Sequence, residues 1–269
     1  MTRSIIHSIS IYVALVAASI RSQLRYKVSV VFEIVGYFFV FWSEFAAIWI
    51  LFNHFGILAG WRIEEVLICY GLAHLSYTLS EFLVRGFEFL APLTMRGEYD
   101  RLLLRPVNTI VQLAGYEFAL HRFGRALQAF TVLVIGLILI GPGVTAGGLL
   151  LLVWGILGGV AFFSGVYVFQ GSVGMKVLMN IEAFNIFTSG GPEMAQFPMS
   201  IYPRTMRLFF TFVIPLAGVV YYPAVSFLRK ASDASLIIGW ISPVSGFVFL
   251  AIALLVFRAV EQTYVSTGS

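Results

Sequence analysis

The 269-residue sequence predicts an all-α polytopic membrane protein. Three observations carry that expectation. Hydrophobic residues make up 59% of the chain and charged residues 11%, against about 25% charged in a soluble domain. Mean hydropathy is +0.93. Six separate stretches are apolar over the roughly 20 residues that a bilayer-spanning helix needs. So few charges cannot build a soluble surface, and 26 Phe, 12 Tyr and 5 Trp exclude a disordered chain. The segments between spans are too divided to form a second domain, so residues 1–269 read as one membrane domain.

Residues 1–27 come first. Ile5, Ile9, Val13, Val16, Ile20 and Leu24 recur at helical spacing, and Arg21, Arg25 and Lys27 gather at the end. That is the pattern of a helix lying in the membrane interface. A cleaved signal peptide is the alternative, given Arg3, the apolar run 9–16 and small Ala17, Ala18 and Ser19. Cleavage would strand the three basic residues on the outer face, so an uncleaved interfacial helix is expected.

The six spans fall at 28–52, 63–84, 116–140, 148–170, 207–221 and 243–257, the fifth being short and containing Pro215. With the N-terminus inside, fourteen of the 17 Lys and Arg residues lie on the cytoplasmic side. Only Arg62, Arg229 and Lys230 lie outside, which makes both termini cytoplasmic by the positive-inside rule.

Ionisable groups inside a bilayer are costly and point to function. Glu33 and Glu44 lie in the first span, eleven residues apart, hence on one face about 16 Å apart along the axis. In the second span Tyr70, His74, Tyr77 and Glu81 form a polar-aromatic stripe at i, i+4, i+7 and i+11. Structural roles compete for each. Glu33 can reach the interface or pair with Arg25 or Lys27, Glu81 can pair with Arg85 one turn on, and a neutral His74 can bond across helices. Glu44 is the hardest to assign this way, being deep with no basic residue within a turn of its helix. In the fourth span Gly155 and Gly159 permit close helix approach, most simply within the chain.

Between the second and third spans, residues 85–115 form a polar segment broken by Pro92 and Gly97, with a short helix expected over 98–104 and stopped by Pro106. At this segment the chain resembles the permease subunits of type-2 ABC exporters. Arg96-Gly97-Glu98-Tyr99-Asp100-Arg101-Leu102-Leu103-Leu104-Arg105-Pro106 has the shape of that family's loop, with Asp100 where the family has Glu. The likeness is closest to the viologen-exporter-like subgroup, through Ile201-Tyr202-Pro203, Thr211 to Ala217 with Pro215, Tyr222-Pro223-Ala224, and Tyr264-x-Ser266-x-Gly268-Ser269. The resemblance implies an interfacial helix plus six transmembrane helices, a cytoplasmic coupling loop at 85–115, and short outer-face helices at 222–242. It implies partner ABC ATPase subunits that dock on Gly97, Glu98, Asp100, Arg101, Arg105 and Pro106. A second permease, identical or related, completes the transporter in a bacterial plasma membrane. Spans one and two would line the pathway, so Glu44, Glu33, Tyr70, His74, Tyr77 and Glu81 become candidates for hydrophobic substrates, cationic ones included.

The chain has no GxxxxGK[ST] loop for ATP phosphates; Gly171-Ser-Val-Gly-Met-Lys176 lacks the spacing. No metal-ligand pattern links the four histidines and the one cysteine. No cofactor, metal or nucleic-acid partner is expected, and no catalytic residue. Ser164-Gly165 lacks the preceding glycine of a rhomboid-type serine, that position being Phe162. An ATP-independent carrier or channel is the alternative function, set apart by the docking loop and by the absence of an inverted repeat.

Overall fold

A computed structural model describes residues 2–179, 182–230 and 233–266. α1 (Thr2–Gln23) and α2 (Lys27–Phe55) are joined by a 3-10 turn at Leu24–Tyr26, where Tyr26 leaves helical geometry at φ −111°, ψ 56°. The apolar run His7–Phe55 has 49 residues, about 74 Å of helix, more than twice a hydrocarbon core of about 30 Å. α1 lies across its neighbours: the Tyr12 hydroxyl donates to the Phe82 carbonyl at 3.0 Å, and Ser19 donates to the Phe118 carbonyl at 2.9 Å.

α3 (Ile63–Val84) is the axis of the bundle. It is buried without interruption from Val66 to His74, as an apolar helix surrounded by other helices must be. Its first turn is closed by Glu65, which accepts from the Arg62 backbone N–H at 2.8 Å. After it the chain folds into a 3-10 turn, Arg85–Phe89, and three short helices: α4 (Leu90–Met95), α5 (Glu98–Leu103) and α6 (Thr109–Ala114). The next long apolar helix, α7 (Arg122–Ile140), begins six residues later than the hydropathy pattern places it. Residues 116–121 are used instead to seat α1, the Leu120 N–H donating to Gln23 Oε1 at 2.9 Å.

α8 (Ala146–Val177) is 32 residues long, and its glycines set how close its neighbours come. A side chain at Gly159 would collide with Ser76 of α3, and one at Gly171 with the Phe87 carbonyl. Gly155 faces Pro223, whose Cβ would be 3.1 Å from an added methyl. Both members of the Gly155/Gly159 pair therefore face the interior of this chain.

Beyond α8 the chain departs from the expected topology. A 3-10 turn at Glu182–Ile186, α9 (Gly190–Ala195) and a 3-10 turn at Met199–Ile201 climb beside α8 and α3. Phe184 meets Phe169 at 5.9 Å, Gln196 meets His74 at 3.0 Å, and Ser200 accepts from Trp61 Nε1 at 2.9 Å. Trp61 precedes α3, so Ser200 has reached the end of the molecule opposite the 85–115 segment. From there α10 (Arg204–Leu208) and a π-helical turn, Phe209–Val213, descend again. α11 (Leu216–Val219) and α12 (Tyr221–Phe227) then return.

The expected fifth span, 207–221, is thus a bent pair, Arg204–Val213 and Leu216–Phe227, at 77°. Pro215 is the cause. It cannot donate to a helix, and it forces Ile214 to an extended φ −123°, ψ 99°. Arg207 is within electrostatic reach of Tyr221, whose ring is 6.2 Å from Trp61. Arg204 and Arg207 therefore belong with the Trp61 end and not with the loop end. The basic-residue split becomes twelve to five, still biased the same way.

α13 (Asp233–Ile241) and α14 (Val244–Gln262) complete the described fold, so the range 222–242 holds α12 and α13. All the helices and turns are helical in type, and among the described residues the only bridge pairing is Leu58 with Trp61. Among the described residues, five helices are long and apolar enough to cross a membrane, or six with the bent pair counted as one.

Replacing Gly159 by Leu should lower the thermal stability of the detergent-solubilised protein, by about 1–3 kcal/mol for a residue overpacked against Ser76. An unchanged melting temperature would contradict the α3–α8 contact.

Candidate functional site

Two groups of residues stand out, one at the loop end and one within the bundle. In the loop, Gly97 adopts φ +67°, a left-handed turn that suits glycine, and starts α5. α5 has two faces. Tyr99 and Leu102 point into the protein, whereas Arg101 and Leu104 point out, Leu104 being 86% exposed. Arg96, Arg105 and Pro106 are exposed beside them, and Glu98 is half-buried.

Asp100, expected on the docking face, is engaged elsewhere. Its carboxylate accepts from the Tyr264 hydroxyl at 2.9 Å and from Ser266 at 2.6 Å. Next to it the Tyr99 hydroxyl donates to Glu261 at 2.7 Å, and Thr109 donates to the same carboxylate oxygen at 2.5 Å. Burial, and then the hydrogen bond to Glu261, raises the Tyr99 hydroxyl above its ordinary range, so it remains a donor. The loop is thereby tied to the end of α14. Gly268 and Ser269, the last two residues of the tail pattern, lie outside the described residues.

Within the bundle, the α3 stripe meets partners from α7, α8 and α9. Glu81 accepts from Arg85 at 2.6 Å and lies 3.6 Å from Arg122. The Tyr167 hydroxyl donates to Tyr77 at 2.8 Å. The Arg125 guanidinium lies over the Tyr77 ring, 4.6 Å from its centroid. It also approaches His74 Nδ1 at 3.3 Å and Glu193 at 3.9 Å.

Because a guanidinium can only donate, His74 Nδ1 accepts. Nε2 then carries the hydrogen and donates to Gln196 Oε1 at 3.0 Å, and Gln196 Nε2 donates to Glu193 at 3.0 Å. Tyr70 stacks on His74 with centroids 4.1 Å apart and accepts from Gln128 at 2.9 Å. His74 is thus neutral and bonded across helices, and Glu81 is paired with Arg85, as the structural roles require.

Glu44 lies within electrostatic reach of Glu193 and Arg125, and its Oε2 is buried without a hydrogen-bond partner. Glu33 stays apart from this group. It is half exposed and pairs with His121 at 3.5 Å, not with Arg25 or Lys27. The His121 ring also stacks on Tyr37, centroids 4.4 Å apart.

Sequence reasoning missed Arg125, Gln128, Tyr167, Glu193 and Gln196 as members of the group. Arg125 and Gln128, three residues apart just after Arg122 in a mostly apolar helix, carried a readable signal; Glu193 and Gln196 carried none, because they lie on and just past a short helix in an irregular segment.

Together these features define a multi-pass membrane protein with a structured loop at one end and a polar cluster within the bundle. The chain matches the family described as ABC-2 family transporter protein over residues 38–268, and it belongs to that family. It is accordingly a membrane permease component of an ABC transporter, and not the nucleotide-binding subunit. No match was found among curated proteins or among solved structures.

Removing Glu81 leaves Arg85 and Arg122 facing each other without their shared anion. Glu81→Ala should cost about 3–5 kcal/mol, the range for a broken buried pair. Glu33→Ala, at an exposed pair, should cost less than about 1 kcal/mol. Equal melting temperatures for the two variants would refute the assigned weights.

Proposed function

We propose that this chain pairs with a second permease, identical or related, and with separate ATPase subunits to export hydrophobic substrates, cationic ones included, across a bacterial plasma membrane. The observation that carries the reading is the family match, which spans the loop and the bundle together. The exposed face formed by Arg96, Arg101, Leu104 and Arg105 supports docking, since a basic surface with an apolar knuckle suits an acidic groove on a soluble partner. Gly97 and Pro106 bound that face and set its shape, and Glu98 stands at its edge. The viologen-exporter-like resemblance and the carboxylates in the bundle support a cationic substrate. Closure of the ATPases would tilt the spans and expose the polar cluster to alternate sides.

Glu44 is the residue assigned to the cation. Its unpartnered oxygen is costly to keep buried, and Tyr70 and Tyr77, whose rings already hold His74 and Arg125, stand in the same cluster. His74 and Glu81 hold those rings in place, and Glu33 lies toward the loop end of the same helix.

Glu44→Gln should reduce export of a lipophilic cation by about tenfold, equivalent to about 1.4 kcal/mol, at unchanged protein level. Unchanged export would remove Glu44 from the pathway. Arg101→Glu combined with Leu104→Glu should abolish copurification of the ATPase while leaving the permease folded; full retention of the ATPase would place docking elsewhere.

A further inference from the structure

The loop and the tail meet through two carboxylates, each filled by two hydroxyl donors. On the loop side stand Tyr99, Asp100 and Thr109; on the α14 side stand Glu261, Tyr264 and Ser266. Asp100 receives Tyr264 and Ser266, and Glu261 receives Tyr99 and Thr109, so charge acceptors lie on both sides and neither segment is satisfied alone. Hydrogen bonds to an ionised acceptor are roughly twice as strong as neutral ones. Packing reinforces them: Tyr99 and Tyr264 meet edge to face at 5.2 Å, and Phe87 meets Phe257 at 5.3 Å, both phenylalanines being fully buried. More than 160 residues separate Asp100 from Tyr264 along the chain, so nothing covalent imposes the contact.

From this geometry we infer that residues 261–266 are a clasp that makes the docking loop and α14 move as one body. The covalent connections of the loop lead only to α3 and α7. Without the clasp, a force applied to the outward face of α5 would reach those two helices through the chain and α8 through the packing at Gly171 and Gly174, and α14 only through the Phe87–Phe257 contact. With it, the inward face of the same short helix passes the displacement to α14. Asp100 and Glu261 are positioning residues in this scheme, not contacts of the ATPase. The inference rests on the docking reading for the origin of the force.

Cys69, the one cysteine, is buried, so a single introduced thiol can be labelled selectively. Leu255→Cys on α14 and Leu83→Cys on α3 are both at exposed positions. Each would carry an environment-sensitive fluorophore in the complete complex, reconstituted in lipid nanodiscs, and the response to ATP would be recorded. Tyr264→Phe with Ser266→Ala removes both donors to Asp100 while keeping the ring contact with Tyr99.

In that background the ATP response at position 255 should fall at least about tenfold, the scale of losing one hydrogen bond to a charged group. The response at position 83 and ATPase copurification should remain. Glu261→Gln, which preserves shape, should act in the same direction and covers the case in which the double variant does not fold. An undiminished response at 255 in both backgrounds overturns the clasp. Failure of the unaltered chain to bring down any ATPase overturns the docking reading, and with it the mechanical role of the clasp.

Discussion

The bundle depends on the requirement that every ionisable group on the polar face of α3 find a partner in a medium that cannot hydrate it. Glu81 draws in Arg85 and Arg122, which fixes the end of α3 against the start of α7. His74 draws in Gln196 and Arg125, which brings α9 up against α3 although its own connections give it no reason to lie there. Tyr77 and Tyr167 tie α8 to the same face. The apolar surface left on α2, α7 and α14 then points outward, with Phe32, Phe39, Leu127, Phe130, Ile252 and Leu255 among the exposed residues. Lipid or a second permease can cover such a surface; water cannot.

A second constraint is proximity. The glycines of α8 let α3, the Phe87 backbone and α14 approach one helix at several heights, since Gly158 packs on Pro243 and Gly246, and Gly165 packs on Leu250. Close packing of this kind transmits displacement, because side chains without voids cannot absorb it. The loop at 85–115 is therefore joined to a stiff body, through α8 at Gly171 and Gly174 and through the tail at Asp100 and Glu261. At the opposite end, Lys230 bonds Glu65 at 2.6 Å and the Gly60 carbonyl at 2.7 Å, and it caps the Trp61 ring at 4.3 Å. That contact fastens the start of α3 to the segment between α12 and α13.

Much of this was legible in the sequence because it is local. The bounds of α3 follow from its apolar run at 63–84, and the break at Pro215 follows from the missing N–H. The stripe Tyr70, His74, Tyr77 and Glu81 follows from helical spacing alone. What could not be read was long-range. Counting charges by loop puts Arg204 and Arg207 at the wrong end, because it assumes that each loop stays on one side, whereas residues 182–203 travel the length of α3. Asp100 and Tyr264-x-Ser266 each belong to a local pattern, yet nothing in either one shows that they touch. Glu193 and Gln196 are ordinary loop residues until the fold places them beside His74.

If separate ATPases drive this permease through its loop, as proposed, native mass spectrometry of the complex released from membranes in mild detergent will find two permeases and two ATPases in one particle, with the ATPases lost when the outward face of α5 is reversed in charge. Repeated recovery of the chain alone, in a state that still moves substrate without nucleotide, would contradict that drive.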